Sequence, residues 1–176
     1  MADGFVLEIP EMVGIPLSPM RKAQGASRRA WPAGTRIVSA DSHMLESDCW
    51  VERFPEHLKD QAPRMRFADG GWQLTVAGKA MTEPKIAADL CTTLECAPGM
   101  TDIAARFADL DIEGVEKELI FPQRLFGLYM FGEMLNRAET FGAYNEHIAQ
   151  VCAASGGRLF AVMVPNYWDP DEARGA

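Results

Sequence analysis

A parallel α/β sheet, built as the front portion of an eight-fold (β/α)8 TIM barrel, is the fold class that this 176-residue sequence predicts. Three observations lead there. Short apolar, strand-like runs recur at 36–40, 116–121 and 158–164. Helical periods fill the spans between the later runs, and the runs themselves read as buried on both faces. Strands joined by helical crossovers make a parallel sheet. A complete barrel takes about 250 residues, and roughly three βα units are visible here, the last unfinished.

The elements follow in order. Residues 1–34 read as an N-terminal extension, rich in Pro, Gly and Ser, closing on the turn-like Trp31-Pro32-Ala33-Gly34. Its Leu7, Ile9, Met12, Val13 and Ile15 are apolar enough to pack as an arm. Residues 35–176 form the incomplete barrel domain. Its first strand spans Arg36 to Ala40, and Trp50 to Leu58 follows as a short helical or turn segment broken by Pro55. Gly70-Gly71 introduces Trp72-Gln73-Leu74-Thr75-Val76, whose alternation up to Gly78 marks a small β-hairpin excursion. Glu83 to Gly99 has no strong period and reads as a loop.

Thr101 stands as the N-cap of a helix carrying Ile103, Phe107 and Leu110 at helical spacing, which Gly114 ends. The second strand runs from Glu116 to Phe121 and stops at Pro122. After it, Phe126, Leu128, Tyr129, Met130 and Phe131 form an apolar cluster that suits core packing, a dimer contact or a lid. A helix from about Glu133 to Ala154 carries the stripe Leu135, Phe141, Tyr144, Ile148 and Val151, and Gly156-Gly157 ends it. The third strand is Arg158 to Val164. Asp169 and Pro170 then take the N-cap and first helical position of another helix.

Composition narrows the function. At 48% hydrophobic and 24% charged residues the chain is an ordinary globular protein with enough apolar material for one core. A net charge of −8 leaves no basic field for nucleic-acid phosphates. Nothing approaches the ~20 apolar residues of a membrane span. The N-terminus lacks the basic start and unbroken apolar run of a secretory signal. Cys49, Cys91, Cys96 and Cys152 form no C-x-x-C pair, so reduced thiols in a cytoplasmic protein are expected.

The chemistry concentrates in Ile37-Val38-Ser39-Ala40-Asp41-Ser42-His43-Met44-Leu45-Glu46. Side chains two apart on a strand share a face, so Asp41 and His43 point the same way where the strand gives way to a loop. Both are able to ligate a divalent metal. Their bland alternative is a turn cap at Asp41 and a satisfied backbone carbonyl at His43. Glu46 has three candidate roles: a third ligand, a group orienting His43, or a partner for Arg53. Gln123 and Arg124 follow the second strand, where the guanidinium fork of Arg124 would suit a substrate carboxylate. Asn166, Tyr167 and Trp168 follow the third strand, as pocket lining for a planar substrate or as plain packing. His57 reads as a surface residue and His147 as structural.

Several blocks together resemble the amidohydrolase superfamily, in the amidohydrolase-related branch that includes aminocarboxymuconate semialdehyde decarboxylase. They are Val38 to Ser47 with Trp50 and Arg53-Phe54-Pro55, then Ala62-Pro63-Arg64 and Gly71-Trp72. Arg106 to Val115 running into Leu119-Ile120-Phe121-Pro122 is another, as are Ala143-Tyr144-Asn145 and Arg158-Leu159-Phe160. The resemblance covers about residues 36–170. It implies a distorted barrel with one divalent ion, zinc favoured and manganese possible, at its C-terminal mouth. The family's first-strand pair, often His-x-His, stands here as Asp41-x-His43, and related decarboxylases replace the first histidine with a carboxylate.

The further ligands and the acid/base residue that the resemblance implies lie in later barrel strands, beyond residue 176. The implied activity is non-oxidative decarboxylation, or hydrolysis, of an unsaturated or aromatic carboxylic acid or a related compound. A small-molecule substrate and pairing with a second copy or the missing barrel half are the expected partners. The alternative is a catalytically inactive barrel fragment acting only by binding a partner chain.

Overall fold

Strand β1 (Val38–Met44) lies parallel to β5 (Lys117–Pro122), which lies parallel to β6 (Leu159–Ala161), giving a three-stranded sheet in chain order. The computed structural model describes residues 32–46, 49–69, 71–81, 98–130 and 136–175. Nearly all of the N-terminal extension, most of the 83–99 loop with Cys91 and Cys96, Gly70, Phe131 and the 133–135 helix start lie outside the described residues.

A second sheet is antiparallel, with β2 (Arg64–Ala68), β3 (Gly71–Val76) and β4 (Lys79–Ala80). This is the expected hairpin with a strand added on each side of Trp72–Val76. Its β3–β4 turn places Ala77 and Gly78 at φ 49° and 76°, two left-handed residues that match the twist of a tight hairpin. Leu74 and Val76 point into the main core. The Ala77 N–H donates to the Gln61 carbonyl and anchors the turn to the neighbouring 3-10 helix Glu56–Gln61.

Helix α1 (Cys49–Arg53) and the 3-10 helix divide at Pro55, as the proline position predicts. Helix α2 (Ile103–Glu113) begins one residue later than expected. Asp102, not Thr101, is the N-cap, its carboxylate accepting the Ala105 N–H at 2.6 Å. Gly114 closes the helix at φ 76°, where its N–H and that of Val115 both reach the Leu110 carbonyl. Asp102→Ala should cost about 1 kcal/mol of stability by urea denaturation. An unchanged midpoint would mean that water caps α2 equally well.

The apolar cluster after β5 is itself helical, α3 (Arg124–Met130), with Leu125 and Leu128 buried and Phe126 exposed. The long helix α4 is Arg137–Ala154 and the last, α5, is Pro170–Gly175. As expected, Asp169 receives the Asp171 N–H ahead of α5. No helix among the described residues is long and apolar enough to cross a membrane.

The core gathers Met44, Ile120 and Leu159 from the parallel sheet with Leu110, Phe141, Tyr144, Ile148 and Val151 from helices α2 and α4. Burial along β5 alternates: Glu118, Ile120 and Pro122 are buried, Lys117, Leu119 and Phe121 only half so. The expectation of strands buried on both faces is therefore corrected. One face packs on helices, while the other keeps Leu119, Phe121 and the exposed Phe160 apolar but uncovered among the described residues.

Candidate active site

Asp41 and His43 lie within β1, which runs on through both rather than ending at Ala40. The His43 Nδ1 stands 3.1 Å from the Pro122 carbonyl. A carbonyl only accepts, so Nδ1 carries a proton, and in the neutral ring Nε2 is the nitrogen left with a lone pair. That Nε2 is 3.7 Å from Asp41 Oδ1. The Asp41 side chain is 89% exposed and that of His43 36%, so both donors meet solvent at the open face.

Two ligands on one tetrahedral zinc, each about 2.0–2.2 Å from it, stand roughly 3–4 Å apart. The Asp41–His43 pair fits that span. Among the described residues no third His, Cys, Asp or Glu joins it.

Glu46 is 2% exposed and sits at the N-terminus of α3. Its Oε1 accepts the N–H groups of Gln123 at 2.8 Å and Leu125 at 3.1 Å, and its Oε2 that of Arg124 at 2.7 Å. Burial pushes the carboxyl up and these N–H bonds pull it back down, with burial the larger. This capping role is none of the three expected for Glu46. Glu46 ties the end of β1 to the loop after β5, and so places Gln123 and Arg124 beside the first strand.

A pocket of about 340 Å³ opens at the C-terminal ends of β5 and β6, lined by Phe121, Pro122, Phe126, Met163, Val164 and Tyr167 among others. The Phe121 ring that walls it lies 6.2 Å from the His43 ring. Of the three residues expected after the third strand, Tyr167 reaches this pocket. Trp168 instead packs against Phe141 at 5.0 Å, with the Arg137 guanidinium 4.6 Å over its ring. Asn166 is half-buried, and its carbonyl accepts the Asp169 N–H in the turn before α5.

Sequence reasoning also missed a buried ion pair beneath the site. Arg106 Nε donates to Glu118 Oε2 at 2.6 Å, and both side chains are nearly buried. The same arginine reaches the His43 carbonyl at 2.9 Å and the Gly99 carbonyl at 3.1 Å. Glu118 Oε1 accepts from Ser42 Oγ at 2.9 Å, and Ser42 bonds Ser39 Oγ at 2.7 Å. An arginine inside an otherwise apolar helix stripe, and a glutamate inside an apolar strand, were the available signals.

Other titratable groups are structural. Burial pushes the Cys49 thiol up to about 12 and raises that of Cys152, so neither is a ready nucleophile. His57 is exposed, as expected. His147, half-buried on α4, is held below the ordinary imidazole range by burial first and then by Arg53, with Glu52 opposing. The unfolded chain therefore takes up the proton first, and stability should fall as pH drops through about 6.5. His147→Gln should flatten that part of the melting-temperature profile between pH 7.5 and 5. An identical slope in the variant would assign the dependence elsewhere.

No protein-family model and no curated protein matches the chain. Among solved structures it is similar to the crystal structure of an amidohydrolase from Mycobacterium avium subsp. paratuberculosis K-10. The identity is 14%, the TM-score 0.56, and the match covers 81% of this chain and 46% of that one. The chain thus spans less than half of that protein's length, and the likeness is one of fold.

Proposed function

We propose that this chain carries the first-strand part of a metal-dependent amidohydrolase-like site, with Asp41 and His43 as ligands of one divalent ion, zinc in preference to manganese. The observation that carries this reading is the His43 ring, fixed through Nδ1 by the Pro122 carbonyl with Nε2 turned toward Asp41. Metal-binding histidines are oriented in this way by a bond to the other ring nitrogen. The fold likeness to an amidohydrolase supports it.

The reaction proposed is non-oxidative decarboxylation, or hydrolysis, of an unsaturated or aromatic carboxylic acid. When bound, the metal would supply Lewis acidity and lower the pKa of a bound water. The chain's own residues do the rest. Phe121 and Tyr167 offer flat apolar walls to a planar substrate and exclude water from it. Arg124, whose backbone N–H is held at the start of α3 by Glu46, would offer its guanidinium fork to a carboxylate.

A second reading is favoured by the apolar face around Phe160, uncovered among the described residues, and by the two donors found among them: a non-catalytic module that acts by binding a partner chain. Elemental mass spectrometry on the gel-filtered chain separates the two. About one zinc per chain, absent from Asp41→Ala and His43→Ala, is the expected result, with coordination completed by water or a second copy. A wild-type chain that retains no metal would overturn the first reading and favour the second.

A further inference from the structure

The pairing of β1 with β5 contains an irregularity. Ser39 stands opposite Glu118 and Ser42 opposite Ile120, so three steps along β1 match two along β5. One extra residue is accommodated at Ala40–Asp41. In a regular strand Ser39 and Ser42 would face opposite ways, yet here their hydroxyls bond each other. Ser42 passes to Glu118, Glu118 to Arg106, and Arg106 returns to the carbonyl of His43. The C-terminal flank of the bulge is thus clamped from the buried side by residues far away in sequence, and Ser42 ties that flank to Ser39.

We infer that Arg106 and Glu118 are positioning residues for the Asp41–His43 pair, holding through Ser42, which lies between the two donors, and through the His43 carbonyl the bulged stretch of backbone that carries both. The inference rests on the proposed role of that pair as metal ligands. Bulges re-aim side chains beside functional sites, and a one-residue slip would send a side chain to the opposite face. A regular β1 would put Ser39 in phase with Asp41 and detach it from Ser42. The clamp removes that alternative. Gly99 contributes its carbonyl to the same guanidinium, and a Cβ there would stand 2.7 Å from Asp109 Oδ2 and 3.1 Å from the Arg106 Cα, so a side chain would push this turn off α2 by a few tenths of an ångström.

The test uses zinc alone, titrated against a chromophoric chelator, with the full 176-residue chain. Ser42→Ala and Glu118→Gln should each weaken zinc binding about tenfold or more. Tyr144→Phe, which removes the hydroxyl bond to the Val162 carbonyl in the core, should leave it unchanged. Equal affinity in wild type, Ser42→Ala and Glu118→Gln would overturn the inference. Ser42→Ala leaves the buried ion pair intact and keeps the test open if Glu118→Gln does not fold.

A wild-type chain with no affinity for zinc would instead overturn the metal reading. Positioning is then read in the metal-free protein, whose three histidines resolve by ¹⁵N NMR. A single Nδ1–H tautomer at His43 in wild type that becomes mixed in the variants, with His57 and His147 unmoved, supports the clamp. The same tautomer in all of them overturns it.

Discussion

Glu46→Ala should lower stability by roughly 3 kcal/mol or more, one of the two largest effects expected of a single substitution in this chain. Three backbone N–H groups at the start of α3 lose their acceptor at once. Each buried donor left unpaired costs about 1–3 kcal/mol, offset in part where water enters. Glu46→Gln keeps one acceptor oxygen and should lose less. Urea denaturation of both variants checks this, and equal midpoints for wild type and Glu46→Ala would mean that the carboxylate does not cap α3. Loss of the cap also frees Arg124 and the Leu125 side of the pocket wall, so ligand binding should weaken along with stability.

Glu118→Ala is the second large effect, expected at about 3–5 kcal/mol, because it leaves the Arg106 guanidinium charged and without its carboxylate inside the protein. The double variant Arg106→Met/Glu118→Leu should recover much of that loss, since a packed apolar pair avoids desolvating two ions. Chemical melts of Arg106→Met, Glu118→Leu and the double variant close a thermodynamic cycle. Losses that simply add would show that the two side chains act independently, against the 2.6 Å contact between them.

How far the sequence was legible depends on how local each cause is. The ends of α2 and α5 could be read to within a residue because caps are set by neighbours: Asp102 reaches only to Ala105, and Asp169 to Asp171. The parallel sheet was legible from apolar runs separated by helical periods. Strand β2 was missed although Arg64-Met65-Arg66-Phe67 alternates with period two and the dipeptide Asp69-Gly70 after it is a hairpin signal; both marks were present in the sequence. Helix α3 was read only as an apolar cluster, with no secondary structure assigned to it, because its cap, Glu46, lies far away in sequence.

At the site, the shared face of Asp41 and His43 was legible, being a matter of strand period. The distance between them and the ring orientation depend on Pro122, and the bulge on Glu118 and Arg106. None of these contacts leaves a mark near residue 41. Trp168 had two open readings, pocket lining and packing, and its contacts with Phe141 and Arg137 on α4 depend on a helix remote from it in sequence.

The strand order also has a consequence for the sequence of events in folding. His43 and Pro122 are 79 positions apart, whereas β5 and β6 are separated by roughly half as much chain. Closing the longer loop costs more entropy before any contact repays it, so β5 and β6 should assemble on α4 first and β1 should dock last. The last strand to arrive is the first to open, and amide hydrogens of β1 should exchange ahead of those of β5. The two donors then exist as a pair only while that late-joining strand is seated. A ligand that grips both would act as a latch, slowing exchange in β1 while leaving β6 as it was.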